Sequence, residues 1–345
     1  MTHYFKTTFL VIGAGISGLL IARILHDVGR SVRVLEKGRG FGGRMATRSI
    51  DNARFDHGAQ YFTVRDPEFQ TWVGRWKAAG IARKWFNKLP GDPKADGHPR
   101  YIGARGISDI AKGLSEGIQV FRETQAKELR WNDPGWTVRT DSGSVFPTDQ
   151  LIITAPVPQA LELLDRCGVP LPDEDIETLK TVRYEKALAV MAHLNGPSAI
   201  PSFGGMKVKE SPLTWLADNQ RKGISDVPAV TLHSDSAFAK THWDSPDEVH
   251  GNLLIESAKP YLGAQVTKFT CHRWGYARPK QTYGSPFFHH SPSDLLLAGD
   301  GFGGPLVEGA ALSAIKAAGV LLHHHRKEGT DPIPRPRPRG RKTHP

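Results

Sequence analysis

A glycine-rich turn between two apolar runs near the N-terminus constrains the fold of this chain more than any other feature. An apolar run at residues 9–12 leads into Gly13, Gly15 and Gly18, a G-x-G-x-x-G motif, and an apolar helix follows at residues 19–25. In this motif the first glycine allows a tight turn, the second lets the backbone approach a pyrophosphate, and the third allows close helix–strand packing. The free N–H groups and the dipole at the helix N-terminus attract that anion. The motif predicts a dinucleotide-binding unit, with NAD and FAD both open.

The second apolar run, at residues 32–35, ends in Glu36. A carboxylate at this point accepts hydrogen bonds from both ribose hydroxyls of an adenosine. It also disfavours a 2′-phosphate there, because two anions would face each other. A further glycine loop, Gly42-Gly43-Arg44, follows this strand and favours FAD.

Composition places the chain among globular proteins. It has 345 residues, 39% of them hydrophobic, which is enough for two domains with sizeable cores. The formal charge of +10 suggests a polyanion partner, but half of it lies at residues 326–345, which hold seven Lys and Arg against two acids. This Pro/Arg tail has little to bury and is predicted to be disordered and solvated. Nonspecific contact with polyanions stays open for the tail, and no specific nucleic-acid partner is expected.

The two cysteines, Cys167 and Cys271, are far apart. They exclude a disulfide scaffold and a cysteine zinc site and fit a reducing compartment. No metal site is predicted, and the run of histidines at residues 323–325 is interpreted as the polar end of a helix. The chain has no run of eighteen apolar residues and no signal peptide, so we expect a cytoplasmic protein without a membrane partner.

Periodicity and turn residues predict the remaining elements. In the first half they are strands at 54–56, 60–63, 118–122, 126–131, 136–140 and 151–154, a helix at 68–79 with an aromatic core stripe, a loop at 87–100, and a short helix capped by Ser108. In the second half they are a helix capped by Asp173, a helix opened by a capping box at Ser245, strands at 187–194, 213–217, 229–233, 266–274 and 294–298, and a final helix at 307–322. From about residue 166 strands dominate, which predicts a second domain on a mixed or antiparallel sheet.

Sequence blocks across nearly the whole chain resemble a known family, the renalase-type FAD-dependent oxidoreductases of the amine oxidase-like flavoprotein superfamily. At superfamily level the matching residues are the opening glycine motif, Glu36, Gly42-Gly43-Arg44, and Ala298-Gly299-Asp300 before a terminal helix. At family level the matching blocks are EKGRGFGGRMATR from residue 36, DHGAQYFTVRD at 56–66, WLADN at 215–219, HRWGYA at 272–277 and LLLAGDGFGGPLVEGAALS at 295–313.

The resemblance implies an α/β fold with a Rossmann-like FAD-binding domain and an inserted substrate domain built on a mixed or antiparallel sheet plus helices. The implied FAD-binding domain comprises residues 1–65, 104–165 and 287–325, the substrate domain 66–103 and 166–286, and the tail 326–345. The implied FAD ligands are Gly13, Ala14, Gly15, Ile16, Ser17, Gly18, Glu36, Lys37, Gly43, Arg44, Met45, His57, Gly58, Ala59, Gln60, Ala126, Gly299, Asp300, Leu306 and Val307.

Some of these ligands have an implied role. Arg44 would meet the pyrophosphate, and Asp300 would accept from the ribityl chain or approach a phosphate through a backbone amide; a helix N-cap is the alternative for Asp300. The amides of Leu306 and Val307 would face flavin N1 and O2 and stabilise the reduced ring. FAD would be bound non-covalently, because residues 284–305 contain no cysteine. His289-His290 is predicted to lie in a loop rather than to bind flavin.

The candidate substrate residues are Tyr61, Asn219, Arg273, Trp274 and Tyr276. The aromatic residues would stack on a nicotinamide-like ring and Asn219 would bond its carboxamide, but burial in the domain interface or core is the alternative for Tyr61, Trp274 and Tyr276.

The resemblance implies an oxidase of isomeric 2- or 6-dihydroNAD(P) that passes hydride to FAD N5 and reduces O2 to H2O2. Placement of the ring does most of this chemistry, so no catalytic residue is assigned. Two alternatives stay open, an FAD-dependent amine oxidase and a non-catalytic flavin-binding regulatory protein.

Overall fold

The computed structural model of the chain describes residues 2–87, 97–169, 171–201 and 203–328, with side chains up to His323. The helices in these ranges are α1 (Ile16–Asp27), α2 (Pro67–Ala78), α3 (Ser108–Ser115), α4 (Val157–Arg166), α5 (Asp173–Lys180), α6 (Ser236–Thr241), α7 (Asp247–Leu262), α8 (Asp300–Gly303) and α9 (Leu306–Glu328). The strands are β1 (Thr7–Ile12), β2 (Val32–Leu35), β3 (Thr47–Ile50), β4 (Ala53–Asp56), β5 (Ala82–Phe86), β6 (Arg100–Gly103), β7 (Gln119–Phe121), β8 (Ala126–Trp131), β9 (Trp136–Thr140), β10 (Val145–Ile153), β11 (Arg183–Leu194), β12 (Gly205–Lys207), β13 (Leu213–Asp218), β14 (Ala229–Ser234), β15 (Val266–Gln281), β16 (Phe287–His290) and β17 (Leu295–Ala298).

The larger sheet has eight strands, with β1 at its centre. Its order is β16-β17-β10-β1-β2-β7, and β9 and β8 extend from β10. The pairs around β1 are parallel. Phe9 and Val11 pack on one face with α1, α3 and α9, whereas Leu10 packs on the other face with β10 and α4. A strand buried on both faces has to be a continuous apolar run, which explains the sequence of residues 9–12.

The second sheet has five strands in the order β12-β13-β14-β11-β15, and all its neighbouring pairs are antiparallel. Leu254 and Leu262 of α7 cover one face. On the other face, Phe55 of the β3–β4 hairpin packs against Met191 and Ala229. The predicted fold class, a Rossmann-like unit with a second sheet of antiparallel strands, is confirmed.

The domain boundaries stay predictions. The packing of α2, however, does not match the domain to which this helix was assigned. Phe69, Val73 and Trp76 join the core formed by α1, α3 and α9, although residues 66–103 were assigned to the substrate domain. The predicted aromatic stripe of this helix is buried, apart from Trp72, which is partly buried.

Several local predictions are wrong. Residues 60–63 form an isolated bridge from Phe62 to Tyr101 rather than a strand, and β5 and β6 form a hairpin that the sequence analysis missed. His289 and His290 lie in β16, paired with β17, rather than in a loop. The rest of the predicted loop, residues 88–96, lies outside the described residues, as does the tail from residue 329.

The predicted helix caps at Ser108, Asp173 and Ser245 are also wrong. Ser108 and Asp173 are the first residues of their helices, and Ser245 makes no side-chain cap for α7. At α3, distant side chains take the capping role, because Asp56 Oδ1 accepts from the Ile107 amide and Thr47 Oγ1 accepts from the Ser108 amide.

One helix in the described ranges has the length and composition of a membrane span, the segment Leu306–His323 of α9, and 50% of it is buried inside the fold. Its small residues pack on α1 and the large sheet. The core helix of a compact domain has the same character, and here the helix closes one face of the nucleotide-binding sheet.

Candidate functional site

The opening glycine turn has the geometry that the motif requires. Gly13 has φ +110°, and a Cβ there would lie 2.7 Å from Thr154 Oγ1. A Cβ on Gly18 would overlap the Gly13 carbonyl oxygen. Helix α1 begins at Gly15, an N-cap without a side chain that could accept from the first N–H groups. The turn therefore leaves backbone donors for an anion.

Neighbouring predicted ligands hold this turn in place. Ala14 and Ile16 are buried, and the hydroxyl of Ser17 donates to the Ala310 carbonyl over 2.8 Å, which links α1 to α9. Glu36 accepts from the amides of Ala14 and Gly38, at 2.8 and 2.6 Å. The acid at the end of β2 thus fixes both loops around it, and its contact with a ribose stays a prediction.

Two more predicted ligands lie around Glu36. Lys37 is exposed beside it. Ala126 begins β8, shortly after Thr124, whose amide donates to the Glu36 carbonyl. Both positions border the end of β2, where the adenosine half is predicted.

The second glycine loop lies directly against the first. The Gly42 amide donates to the Ala14 carbonyl over 2.9 Å, and a Cβ on Gly43 would lie 3.7 Å from Gly15 Cα. Met45 is buried below this loop in the core. Two side-chain-free loops in contact, at an uncapped helix N-terminus, fit the pyrophosphate of FAD.

Arg44 makes contacts that the sequence analysis did not foresee. Its guanidinium forms a two-point ion pair with Asp300, at 2.5 and 2.8 Å, and donates to the Tyr276 carbonyl over 3.1 Å. It also lies over the Tyr184 ring, 5.7 Å from the centroid. Arg44 therefore joins the second glycine loop to α8 and to the second sheet, and its predicted pyrophosphate contact stays a prediction.

The loop before α9 carries the other C-terminal candidates. The Gly299 amide donates to Ser313 Oγ over 2.8 Å. Leu306 opens α9 with φ +84° and is 60% exposed, and Val307 is buried. A positive φ in a leucine is strained and typical of functional sites. Leu306 is thus an exposed, strained residue at the start of α9, and the contact of the Leu306 and Val307 amides with a flavin stays a prediction.

The segment of residues 57–60 lies between Arg44 and the second sheet. The Ala59 amide donates to the Arg44 carbonyl over 2.8 Å, and a Cβ on Gly58 would meet both that carbonyl and the Trp274 ring. Gln60 Nε2 donates back to the Asp56 carbonyl over 2.5 Å. This packing brings His57 and Gly58, two of the four predicted cofactor ligands in the segment, against the candidate Trp274.

A buried ion pair supports this segment, and the sequence analysis missed it. Lys222 and Asp56 have fully buried side chains, with Nζ 2.7 Å from Oδ2. Lys222 Nζ also donates to the Gln60 carbonyl over 2.7 Å and lies 4.8 Å from the centre of the Trp85 ring. Burial lowers the pKa of Lys222, and the charge of Asp56 opposes that shift. Nothing in the sequence distinguishes this lysine, because its neighbours in the turn are polar.

His57, His272 and Trp274 form a cluster that we call the aromatic wall. The His57 and Trp274 rings are stacked at 5.2 Å, and the His272 ring lies 5.0 Å from His57 and 4.2 Å from Trp274. The His57 carbonyl accepts from Trp274 Nε1 over 2.8 Å and from His233 Nε2 over 3.0 Å.

The histidines of this region are held neutral. Burial, with the charges of His272, Arg48 and His233, lowers the pKa of His57 to about 3. Burial likewise lowers the pKa of His233 to about 4, and it lowers the pKa of His272. The rings of the aromatic wall are therefore uncharged at neutral pH, with His57 stacked on Trp274 and His272 edge-on to both.

The other substrate candidates are not all brought to this wall. Tyr276 packs edge-on against Tyr184, beside the Arg44–Asp300 pair. Tyr61 packs among Trp85, Phe86 and Trp215. Burial of this kind was the alternative to substrate binding for Tyr61. It lies beside Gln60, at the edge of the Lys222 network.

Two candidates lie elsewhere. Asn219 is fully buried, and its amide donates to Thr231 Oγ1 over 3.0 Å. Arg273 points away from Trp274, as successive strand residues do, and pairs with Asp247 of α7. These placements favour structural roles, and substrate contact of either residue stays a prediction without support here.

The same outer face of β15 borders a surface groove of about 1040 Å³, lined by α7 and by residues that include Lys259 and Cys271. It lies across the sheet from the aromatic wall and contributes nothing to that site. Burial raises the pKa of the Cys271 thiol to about 12, so this cysteine is unreactive. Among the described side chains, no group of three or more His, Cys, Asp or Glu is arranged to hold a metal ion.

Known proteins share this arrangement. The model of the flavin containing amine oxidoreductase family matches residues 94–322, and that of the NAD(P)-binding Rossmann-like domain matches residues 11–76. Since the first match covers more than half of the chain, the chain belongs to the flavin containing amine oxidoreductase family. It is an FAD-dependent oxidoreductase.

Within that family the predicted resemblance to renalases is confirmed. Mouse renalase is 26% identical over 338 aligned residues, covering 91% of this chain and 98% of that protein. An L-glutamate oxidase precursor of Streptomyces diastatochromogenes is 33% identical over 105 residues, only 28% of this chain. A putrescine oxidase mutant has the same fold, with a TM-score of 0.69 over 93% of this chain and 99% of that chain, at 15% identity.

Proposed function

We propose that this oxidoreductase oxidises isomeric 2- or 6-dihydroNAD(P) to NAD(P)+ and reduces O2 to H2O2. The observation that carries the proposal is the aromatic wall, where the His57 ring, uncharged at neutral pH, stacks on Trp274 and contributes to an apolar aromatic surface. Such a surface suits a dihydropyridine, which is flat and neutral. The resemblance to renalases, which implied this substrate, points in the same direction.

The chain's own residues position the substrate rather than exchange protons with it. Trp274 is fixed by its bond to the His57 carbonyl, so its ring has one orientation. Because burial lowers the pKa of His57 to about 3, its imidazole is too weak a base to remove a proton from the substrate at neutral pH. Hydride transfer requires no such base, since the electron pair leaves with the hydrogen.

We propose that FAD is held without a covalent bond. The two glycine loops would hold its pyrophosphate, Glu36 its adenosine ribose, and the start of α9 its ring; the bound cofactor supplies the hydride acceptor N5 and transfers electrons to O2. Cys271 lies on the far face of β15 and Cys167 follows α4 beside β8, so neither thiol is near these loops. Denaturation with acid should release all of the flavin into the supernatant, whereas covalent attachment would leave the precipitate yellow.

Anaerobic mixing of the yellow holoenzyme with 2-dihydroNAD(P), 6-dihydroNAD(P), ordinary NADH and a panel of amines tests the substrate. We expect flavin bleaching with the isomeric dihydronicotinamides, and stoichiometric H2O2 when air is readmitted.

Bleaching by amines alone would make the protein an amine oxidase, the first alternative. That alternative would use aromatic residues such as Tyr276, which packs edge-on against Tyr184 at 5.6 Å. No bleaching by any donor would favour a non-catalytic flavoprotein. We also propose that the protein is located in the cytoplasm.

A further inference from the structure

Arg48 lies beside the aromatic wall on the β3–β4 hairpin. The hairpin is closed at its base by the Thr47 Oγ1 bond to Asp56 Oδ1 over 2.6 Å, and its turn is held to the second sheet, where Asp51 pairs with Lys268 of β15 at 2.8 Å. Arg48 is half-buried and is close enough for its charge to lower the pKa of both His57 and His272. In the hairpin Arg48 lies opposite Phe55, whose ring packs against Met191 of β11, so Arg48 is on the face of the hairpin that turns towards the second sheet.

Arg48 differs from four other cations of this region, which have carboxylate partners, and resembles Arg54 of β4, which has none among the described residues. Lys222 pairs with Asp56 and Lys268 with Asp51; on the far face of β15 Arg273 pairs with Asp247, and at the glycine loop Arg44 pairs with Asp300. Arg48 makes no ion pair or hydrogen bond through its side chain within the part of the chain that the structure describes. The guanidinium of Arg48 is therefore available to the acceptor atoms of a ligand.

His57 gives a second, independent indication of a ligand. Its side chain is 6% exposed, and Nδ1 has no hydrogen-bond partner among the described residues. A buried ring nitrogen without a partner loses free energy relative to water, so a polar group of a ligand that enters here would be bound.

We propose that Arg48 binds a phosphate of a nucleotide substrate whose ring packs on the aromatic wall. This inference rests on the proposed function and deepens it, because it names the group that recognises the non-reacting half of the substrate. A guanidinium forms two parallel hydrogen bonds with phosphate oxygens, which an uncharged ring cannot replace. A cationic amine at the same wall would be repelled, since the carboxylate next to it, Asp56, is neutralised by Lys222. Arg48 thus selects an anionic substrate over an amine.

The first test compares substrates with and without phosphate. Anaerobic stopped-flow reduction of the holoenzyme is measured with a dihydronicotinamide dinucleotide, its mononucleotide and its riboside, for the wild type, Arg48→Gln and a control. The control Arg130→Gln removes the same charge from an exposed position on β8. We expect Arg48→Gln to raise Kd for the two phosphate-bearing substrates about tenfold, which corresponds to about 1.4 kcal/mol. The limiting rate of reduction and the Kd of the riboside should not change, and Arg48→Lys should retain part of the affinity.

Three results would overturn the inference. They are an equal loss for the riboside, which indicates a general distortion of the wall; unchanged Kd values for all three substrates; and a lower FAD content in Arg48→Gln than in Arg130→Gln, which would place Arg48 at the cofactor.

A second measurement separates this inference from the proposed function. ADP-ribose, which carries the phosphates without the reacting ring, is titrated into the oxidised holoenzyme by calorimetry. Tight binding that Arg48→Gln weakens about tenfold supports the phosphate site, even if no dihydronicotinamide bleaches the flavin. Equal binding to both variants, or no binding to either, contradicts it, even if the proposed reaction is observed.

Discussion

The two glycine loops and the aromatic wall meet at residues 44–59 but are built in opposite ways. The loops are formed by backbone from two short stretches near the N-terminus, and the missing side chains of Gly15 and Gly43 create the site. The wall is formed by side chains from two distant segments, His57 after β4 and His272 with Trp274 on β15. A site made from local backbone tolerates almost no substitution, whereas a site made from side chains depends on the elements that support it.

The largest expected effect concerns the support of the wall. Replacement of Lys222 by Met leaves the Asp56 carboxylate buried without its counter-charge, and breaking such a pair costs about 3–5 kcal/mol of unfolding free energy. Urea unfolding of the holoenzyme measures the loss. The exposed Lys180, paired with Glu177, is the control, and Lys180→Met should change little.

The double variant Asp56→Asn with Lys222→Met should recover part of this stability, because no buried charge remains. A double variant as unstable as Lys222→Met alone would show that the methionine packs badly and that the ion pair is not the cause.

The next effect concerns the loops. Gly18→Ala should lower stability by about 3 kcal/mol and release FAD, because the added Cβ overlaps the Gly13 carbonyl and separates α1 from β1. The control is Gly319→Ala in α9, where nothing lies within 4 Å of the new methyl group and helix propensity predicts a small gain. If Gly18→Ala retained FAD, the glycine loops would have shifted to make room for the added methyl group.

A pH effect of intermediate size belongs to the wall. The pKa of His57 falls to about 3 in the folded protein from its ordinary value of 6.5. Between these values the unfolded chain binds a proton that the folded chain does not, so stability falls as the pH is lowered from 6.5 towards 3. At pH 5 this amounts to about 2 kcal/mol for this residue.

In His57→Asn, stability should therefore fall less between pH 7 and pH 5 than it does in the wild type. Thermal unfolding at each pH measures this loss. His233→Asn, which removes a second buried neutral imidazole, should flatten the profile in the same direction. Profiles parallel to the wild type would contradict the burial of a neutral His57.

The smallest effect concerns the link from the loops to the C-terminal helix. Ser17→Ala removes one buried hydrogen bond, to the Ala310 carbonyl, which is worth about 1 kcal/mol. We expect a small loss of thermal stability and weaker retention of FAD on dilution. An unchanged FAD dissociation rate would indicate that α9 is held by its packing alone.

The difference between the two regions also explains what the sequence could predict. The glycine spacing and the two-sided apolar β1 are local patterns, and the structure has the tight turn and the buried strand that they predict; the ribose contact of Glu36 stays a prediction. The ion pair of Lys222 with Asp56 joins residues 166 positions apart, and the cap of α3 is supplied by Thr47 and Asp56. Such partners leave no periodicity or spacing in the chain. Trp274 was found through the resemblance, but its orientation depends on His57, which no local pattern connects to it.

The ion pair of Arg44 with Asp300 has a consequence for synthesis of the protein. Its partners are 256 residues apart, and the Ser17–Ala310 bond spans 293 residues. During synthesis the glycine loops emerge more than 250 residues before α8 and α9. Because domains assemble as their segments become available, stable cofactor capture is a late event in the life of the nascent chain. Until then the apolar faces of α1 and β1 that α9 covers in the folded protein are exposed.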